Sequence, residues 1–225
     1  MLRHLGRYGA AWRLSKAFVA CAMFAVPVAA DPVRLVALGD SLTQGYGLVE
    51  QDGFVPQLRR WLAARGHDVE IMNAGVSGDT TAGGLARVDW SLEARTDAMI
   101  VALGGNDLLR GIAPEVARSN IDGILSVAQA RDIDVLLIGM QAPGNYGPDY
   151  KAEFDAIYPD LAAQYGTLYL GDFFAGLRQD GEMPADIDAV MQSDGIHPNS
   201  NGVSQIVEAV GPQVEALIGR VQAGG

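Results

Sequence analysis

A serine hydroxyl is a weak nucleophile until a neighbouring base takes its proton, and the imidazolium that results needs a carboxylate to orient it. The sequence holds one segment for each of these roles. Ser41 lies in Gly39-Asp40-Ser41-Leu42, directly behind an apolar run, and Ser193-Asp194-Gly195-Ile196-His197-Pro198-Asn199 precedes the last helical segment. Of the three histidines, His4 falls in a leader-like N-terminus, and His67 follows Gly66 in a helix-to-strand turn, at the end of the sheet away from the ligand crevice. His197 is left as the base, with Asp194 three residues earlier in a glycine-containing turn, close enough to bond the ring nitrogen that does not face the serine. Attack on a carbonyl also develops an oxyanion, which needs fixed donors. The backbone N–H groups of Ser41 and Gly78 and the side-chain amide of Asn106 are assigned to it, from Asn73–Thr80 and Gly104-Gly105-Asn106-Asp107. The chemistry of this set is hydrolysis of a carboxylic ester or thioester, with no metal and no cofactor required.

These loops need elements that bring them together. Short apolar runs at Val33–Leu38, Val69–Met72, Ala98–Leu103, Val135–Met140 and Leu168–Leu170 read as strands. Their Val, Ile, Leu and Ala content without polar alternation suits strands covered on both faces, as in a parallel sheet. Helical signals fill the gaps at Phe54–Arg65, Thr80–Leu92, Pro114–Ala130 and Tyr150–Tyr165, and again at Asn199–Arg220. Pro159 and Pro212 argue for a kink or break in the last two. The alternation predicts an α/β fold, a three-layer α/β/α sandwich on five parallel strands, with ligands bound beyond the carboxyl ends of the strands. The Pro/Gly-rich stretch 141–149 is long enough to help shape the site.

The 225 residues contain 49% hydrophobic and 19% charged side chains, enough for one substantial core. Four of the 16 basic residues and none of the 27 acidic ones fall in residues 1–30, leaving a net charge of −15 on the rest. Such an acidic body repels polyphosphate, so nucleic acid is excluded as a partner. The segment 1–30 itself has a basic start, an apolar stretch Ala17–Ala30 and a small-residue exit at Val28-Ala29-Ala30, and is expected to be a signal peptide cleaved after Ala30. The stretch is short of the ~20 apolar residues that span a bilayer, so no stable membrane span is expected in the mature protein. Residues 31–225 are then a single catalytic domain in the periplasm or outside the cell. Cys21, the sole cysteine, leaves with the signal, which removes disulfides, thiolate metal sites and cysteine catalysis together.

Taken together, Gly39-Asp40-Ser41-Leu42, Gly78, Gly104-Gly105-Asn106-Asp107 and Asp194-Gly195-Ile196-His197-Pro198 resemble the four blocks of the SGNH, or GDSL, hydrolase family. Within it the chain looks most like the bacterial thioesterase I, lysophospholipase L1 and arylesterase group. The resemblance covers nearly all of the chain after Asp31. It implies a flavodoxin-like strand order 2-1-3-4-5, Ser41 as nucleophile, Gly78 and Asn106 in the oxyanion hole, and the Asp194–His197 pair.

Other readings meet specific obstacles. Gly45-Tyr46-Gly47 follows the first strand as a dinucleotide loop would, yet Glu50 stands where a third glycine belongs, and the second strand ends in Asn73 rather than a ribose-binding acid. Ser77 lacks the second glycine of Gly-x-Ser-x-Gly, since Asp79 occupies that place. A carbohydrate O-deacetylase of the same fold and a non-catalytic exported binding module remain as alternatives. For the acyl chain of a small-molecule ester, thioester or lysolipid, the expected pocket lies among Leu108, Leu109 and Ile112, Tyr146, and Phe173-Phe174, although Leu108, Leu109 and Ile112 equally suit a cap on the core.

Overall fold

The computed structural model describes residues 31–224; the expected leader, with Cys21 and His4, lies outside them. In chain order the elements are β1 (Val33–Gly39), α1 (Ser41–Gln44), α2 (Phe54–Ala63), β2 (Val69–Gly75), α3 (Thr81–Ser91) and β3 (Ala98–Ala102), followed by α4 (Gly105–Leu109), α5 (Pro114–Ala130), β4 (Asp134–Ile138), α6 (Pro148–Tyr165), β5 (Leu168–Leu170) and α7 (Ser200–Gly224). The five strands are all parallel and ordered β2-β1-β3-β4-β5. The order in which successive strands are added therefore reverses between β1 and β3, and the crevice opens beyond their carboxyl ends.

Burial follows strand position. Every residue of β3 is buried, as are all but one in β1 and β4, whereas the edge strands β2 and β5 are only partly covered. Two helical layers do the covering. On one face α2 packs against α7; on the other α5 packs against both α3 and α6. Each shows the spacing this requires: Phe54, Val55, Leu58, Trp61 and Leu62 are the buried residues of α2, and Ala117, Ile121, Ile124, Leu125 and Ala128 the inward stripe of α5.

Neither internal proline breaks its helix. α6 runs through Pro159 and α7 through Pro212, because buried residues on both sides, Ile157 and Tyr158 with Leu161 and Ala162 in α6, and Val210 with Val214 in α7, hold the two halves against the sheet. The lost hydrogen bond is offset by that packing. The segment after β1 also differs from a plain loop. Asp40 caps a one-turn helix, its Oδ1 accepting the Leu42 N–H at 3.0 Å, and Ser41 is the first residue inside it.

Candidate active site

Ser41, carried at the carboxyl end of the central strand β1, is 8% exposed. Its Oγ lies 2.8 Å from Nε2 of His197, whose Nδ1 lies 2.7 Å from Oδ2 of Asp194. The other carboxylate oxygen of Asp194 accepts the N–H groups of Ile196 (2.9 Å) and His197 (3.0 Å). The His197 N–H, the imidazole and the Ile196 N–H, in that order of effect, hold the Asp194 carboxyl well below the usual range, at about 2. It is a carboxylate at any working pH and so receives the Nδ1 proton, which leaves Nε2 free to accept from Ser41.

The segment carrying His197 is fastened from both sides. Gln192 donates its backbone N–H to the His197 carbonyl (2.8 Å) and its side-chain amide to the carbonyls of Tyr46 (2.8 Å) and Pro198 (3.0 Å). Asn199 donates to Met191 and Asp188 carbonyls and accepts the Gly202 N–H at 3.0 Å, capping α7.

The backbone N–H groups of Ser41 and Gly78 have no protein acceptor among the described residues. Gly78 adopts φ +80°, a conformation that a side chain would strain. The Asn106 amide donates to the Asp79 carbonyl at 2.9 Å and, over a longer 3.3 Å, to Oδ2 of Asp40. Asn106 itself sits in α4, and the positive φ of that loop belongs to Gly104. Asp40 is 1% exposed, and burial, opposed by the Leu42 and Asn106 hydrogen bonds and the nearby imidazole, pushes its carboxyl up to about 6.

A cleft of about 550 Å³ opens over these groups, with Ser41, Gly78, Asn106 and His197 in its wall. Leu108, Leu109, Tyr146 and Phe174 line it as expected. Phe173 and Ile112 do not. Phe173 is 1% exposed and packs its ring on Phe54, 5.4 Å between centroids, because the Asp172–Phe174 turn points adjacent residues to opposite sides. Ile112 instead presents its carbonyl to the Tyr150 hydroxyl at 2.8 Å. Sequence reasoning missed Tyr46 and the paired Asp172 and Arg178 in the lining (Nε to Oδ2, 2.5 Å), for which no spacing gave a signal. His67 is engaged elsewhere, 2.8 Å from Glu215 of α7.

A family model for the GDSL-like lipase/acylhydrolase family matches residues 37–204. The chain belongs to that family. This hydrolase is 38% identical over 185 residues to the esterase TesA of Pseudomonas aeruginosa, which covers 82% of the chain and 89% of that protein. It is 32% identical over 209 residues to the thioesterase 1/protease 1/lysophospholipase L1 of Escherichia coli K12, covering 92% of the chain and 94% of that protein. Among solved structures, the SGNH-hydrolase family esterase AlinE4 superposes with a TM-score of 0.67 at 41% identity, over 83% of this chain and 97% of that one. The expected family, fold class and enzyme class, a carboxylic ester hydrolase, are thereby borne out, including the 2-1-3-4-5 order. Among the described residues no helix is long and apolar enough to cross a membrane.

Proposed function

We propose that this hydrolase cleaves carboxylic esters or thioesters of apolar acyl groups through Ser41, His197 and Asp194, and that it does so outside the cytoplasm. The observation that carries the mechanism is the continuous 2.8 Å and 2.7 Å chain from Ser41 Oγ through His197 to Asp194, opening on an apolar cleft. Ser41 Oγ attacks the carbonyl carbon as its proton passes to His197 Nε2, and Asp194 balances the imidazolium. The oxyanion is received by the N–H groups of Ser41 and Gly78 and by the Asn106 amide as it leaves Asp40. Collapse expels the alcohol or thiol, which takes the proton back from Nε2. Water, activated by the same nitrogen, then attacks the acyl-serine and releases the carboxylic acid. Every proton is accounted for by these groups, so no metal or cofactor enters a step.

A fluorophosphonate probe tests the mechanism directly. The parent should be labelled at one site, Ser41→Ala should be neither labelled nor active at unchanged melting temperature, and a labelled, active Ser41→Ala would remove the serine mechanism. Asn106→Ala should lower kcat by roughly 10²–10³ with a smaller change in KM, the usual loss for one oxyanion donor. A panel of p-nitrophenyl esters, an acyl-CoA and a lysophospholipid sorts the substrate. Export is supported by the basic start and small-residue exit of residues 1–30. The mature N-terminus from a periplasmic extract should be Asp31, and one at lipid-modified Cys21 would contradict the periplasmic reading.

A further inference from the structure

One side chain outside the reacting set touches two of the three segments that carry a proposed oxyanion donor and reaches the third through Asp79. Arg87, on the inward side of α3, spends all three guanidinium nitrogens on them. Nε donates to Asp79 Oδ2 at 2.7 Å, Nη1 to the carbonyl of Ala74 at 2.7 Å, and Nη2 to the carbonyl of Gly39 at 2.8 Å. Gly39 ends β1, one residue before the Asp40 cap that sets the Ser41 N–H; Ala74 lies at the end of β2; Asp79 follows Gly78. The carbonyl of Asp79 in turn takes the Asn106 amide at 2.9 Å. The ion pair is largely shielded, with 22% of the Arg87 and 15% of the Asp79 side chain exposed.

The neighbourhood is cut to fit this arrangement. A Cβ on Gly83 would stand 1.7 Å from Asp79 Oδ1, so the carboxylate can reach the guanidinium only because residue 83 has no side chain. From outside, Arg110 donates to the Gly78 carbonyl at 2.7 Å, closing the same turn from the solvent side.

We propose that Arg87 is a positioning residue for the oxyanion site, holding the donors of Ser41, Gly78 and Asn106 at one fixed spacing through Gly39, Ala74 and Asp79. This inference rests on the oxyanion assignment proposed above. Its physical basis is that an oxyanion hole lowers the barrier only to the extent that its donors are already in place when charge develops. Three acceptors held by one planar fork move as a unit, which three separate bonds do not ensure. A lysine supplies one point charge without the fork and cannot span the three acceptors.

The test is a mutant cycle with p-nitrophenyl butyrate. Arg87→Met and Arg87→Lys should each lower kcat by about 10–50-fold, a fraction of the loss for a whole donor, with KM changed by less than about twofold. Gly83→Ala, which leaves the guanidinium intact but displaces Asp79, should reproduce that loss. In the Asn106→Ala background the cost of Arg87→Met should shrink, because the part transmitted through the Asp79 carbonyl to Asn106 is already lost while the parts acting on Ser41 and Gly78 remain. Melting temperatures locate each variant below its unfolding range. A staple with no role in catalysis would lower the melting temperature and leave kcat within twofold of the parent in Arg87→Lys and Gly83→Ala, which overturns the proposal. So does an undiminished kcat loss in the Asn106→Ala background. An unchanged kcat in Asn106→Ala alone would instead remove the oxyanion assignment.

Discussion

The ring of Tyr46 packs on the ring of His197, with centroids 4.7 Å apart and planes tilted by 40°. The Gln192 side chain binds the Tyr46 carbonyl while its backbone binds the His197 carbonyl, so the two rings are held as a pair. A π face beside an imidazole that becomes cationic in the proposed mechanism stabilises the charged form by about 0.5–1 kcal/mol at a partly exposed position. Tyr46→Ala should therefore lower kcat roughly two- to fivefold, and Tyr46→Phe, which keeps the ring, should leave it near the parent value. Steady-state kinetics of the two variants decide it. A larger loss in the Phe variant than in the Ala variant would assign the effect to the hydroxyl.

In the proposed mechanism Asp194 supports the base without reacting. His197→Ala removes the proton acceptor and should leave only the rate that binding and oxyanion donors provide. Asp194→Asn keeps an oxygen for the Ile196 and His197 N–H groups and should cost less, roughly 10²–10⁴ in kcat. Single-turnover rates of the two variants would reveal a reversed ranking, which would make Asp194 more than an orienting group.

Asp40 makes the fold's stability fall with rising pH over a narrow window. Its carboxyl titrates at about 6 in the folded chain against 3.8 for the free group, so the folded state holds the proton more tightly. The associated stability is fully present below pH ~4 and is lost as pH rises through ~6, by about 3 kcal/mol at most. Asp194 works with the opposite sign, contributing above 3.8 and losing its effect as pH falls towards 2, and the exposure of 38% of its side chain weakens it. Denaturant midpoints at pH 4 and pH 7 should fall less with pH in Asp40→Asn than in the parent. Equal falls would show that Asp40 is ionised throughout this range.

Leu109 is 59% exposed at the rim of the cleft, while its neighbour Leu108 is 8% exposed and belongs to the core cluster as well. Each methylene that the cleft buries adds ~0.8 kcal/mol, about fourfold in kcat/KM, until the cleft is full. The specificity constant should climb from acetyl to medium-chain esters and then level. Leu109→Ala should weaken octanoyl esters more than acetyl esters. Equal losses would move the acyl chain to another wall.

The sheet was legible because three of its strands are buried on both faces, which leaves Leu35 to Leu38, Ala98 to Leu103 and Val135 to Ile138 as near-unbroken apolar runs. The proposed reacting groups could be picked out because their roles demand particular residue types in glycine-rich turns, and the structure brings the three side chains so chosen, Ser41, His197 and Asp194, into contact. Phe173 and Phe174 were not separable, since two adjacent aromatics carry no mark of which one the turn sends inward. Arg87 gave no signal at all. A lone arginine in a helix normally belongs to the solvated face, and its three acceptors come from segments that the sequence does not show to be neighbours.

The Ser41–His197 contact joins residues 156 positions apart, and His197 is delivered by the segment that α7 anchors. Closing so long a loop has an entropic cost that only the packing of α7 against α2 and the central strands can offset. Ser41 and His197 therefore meet only once the final helix has docked. Ester turnover consequently reports on the finished tertiary structure, and during renaturation it is a clock for the last docking step, whereas helix content, which the six other helices can supply beforehand, is not.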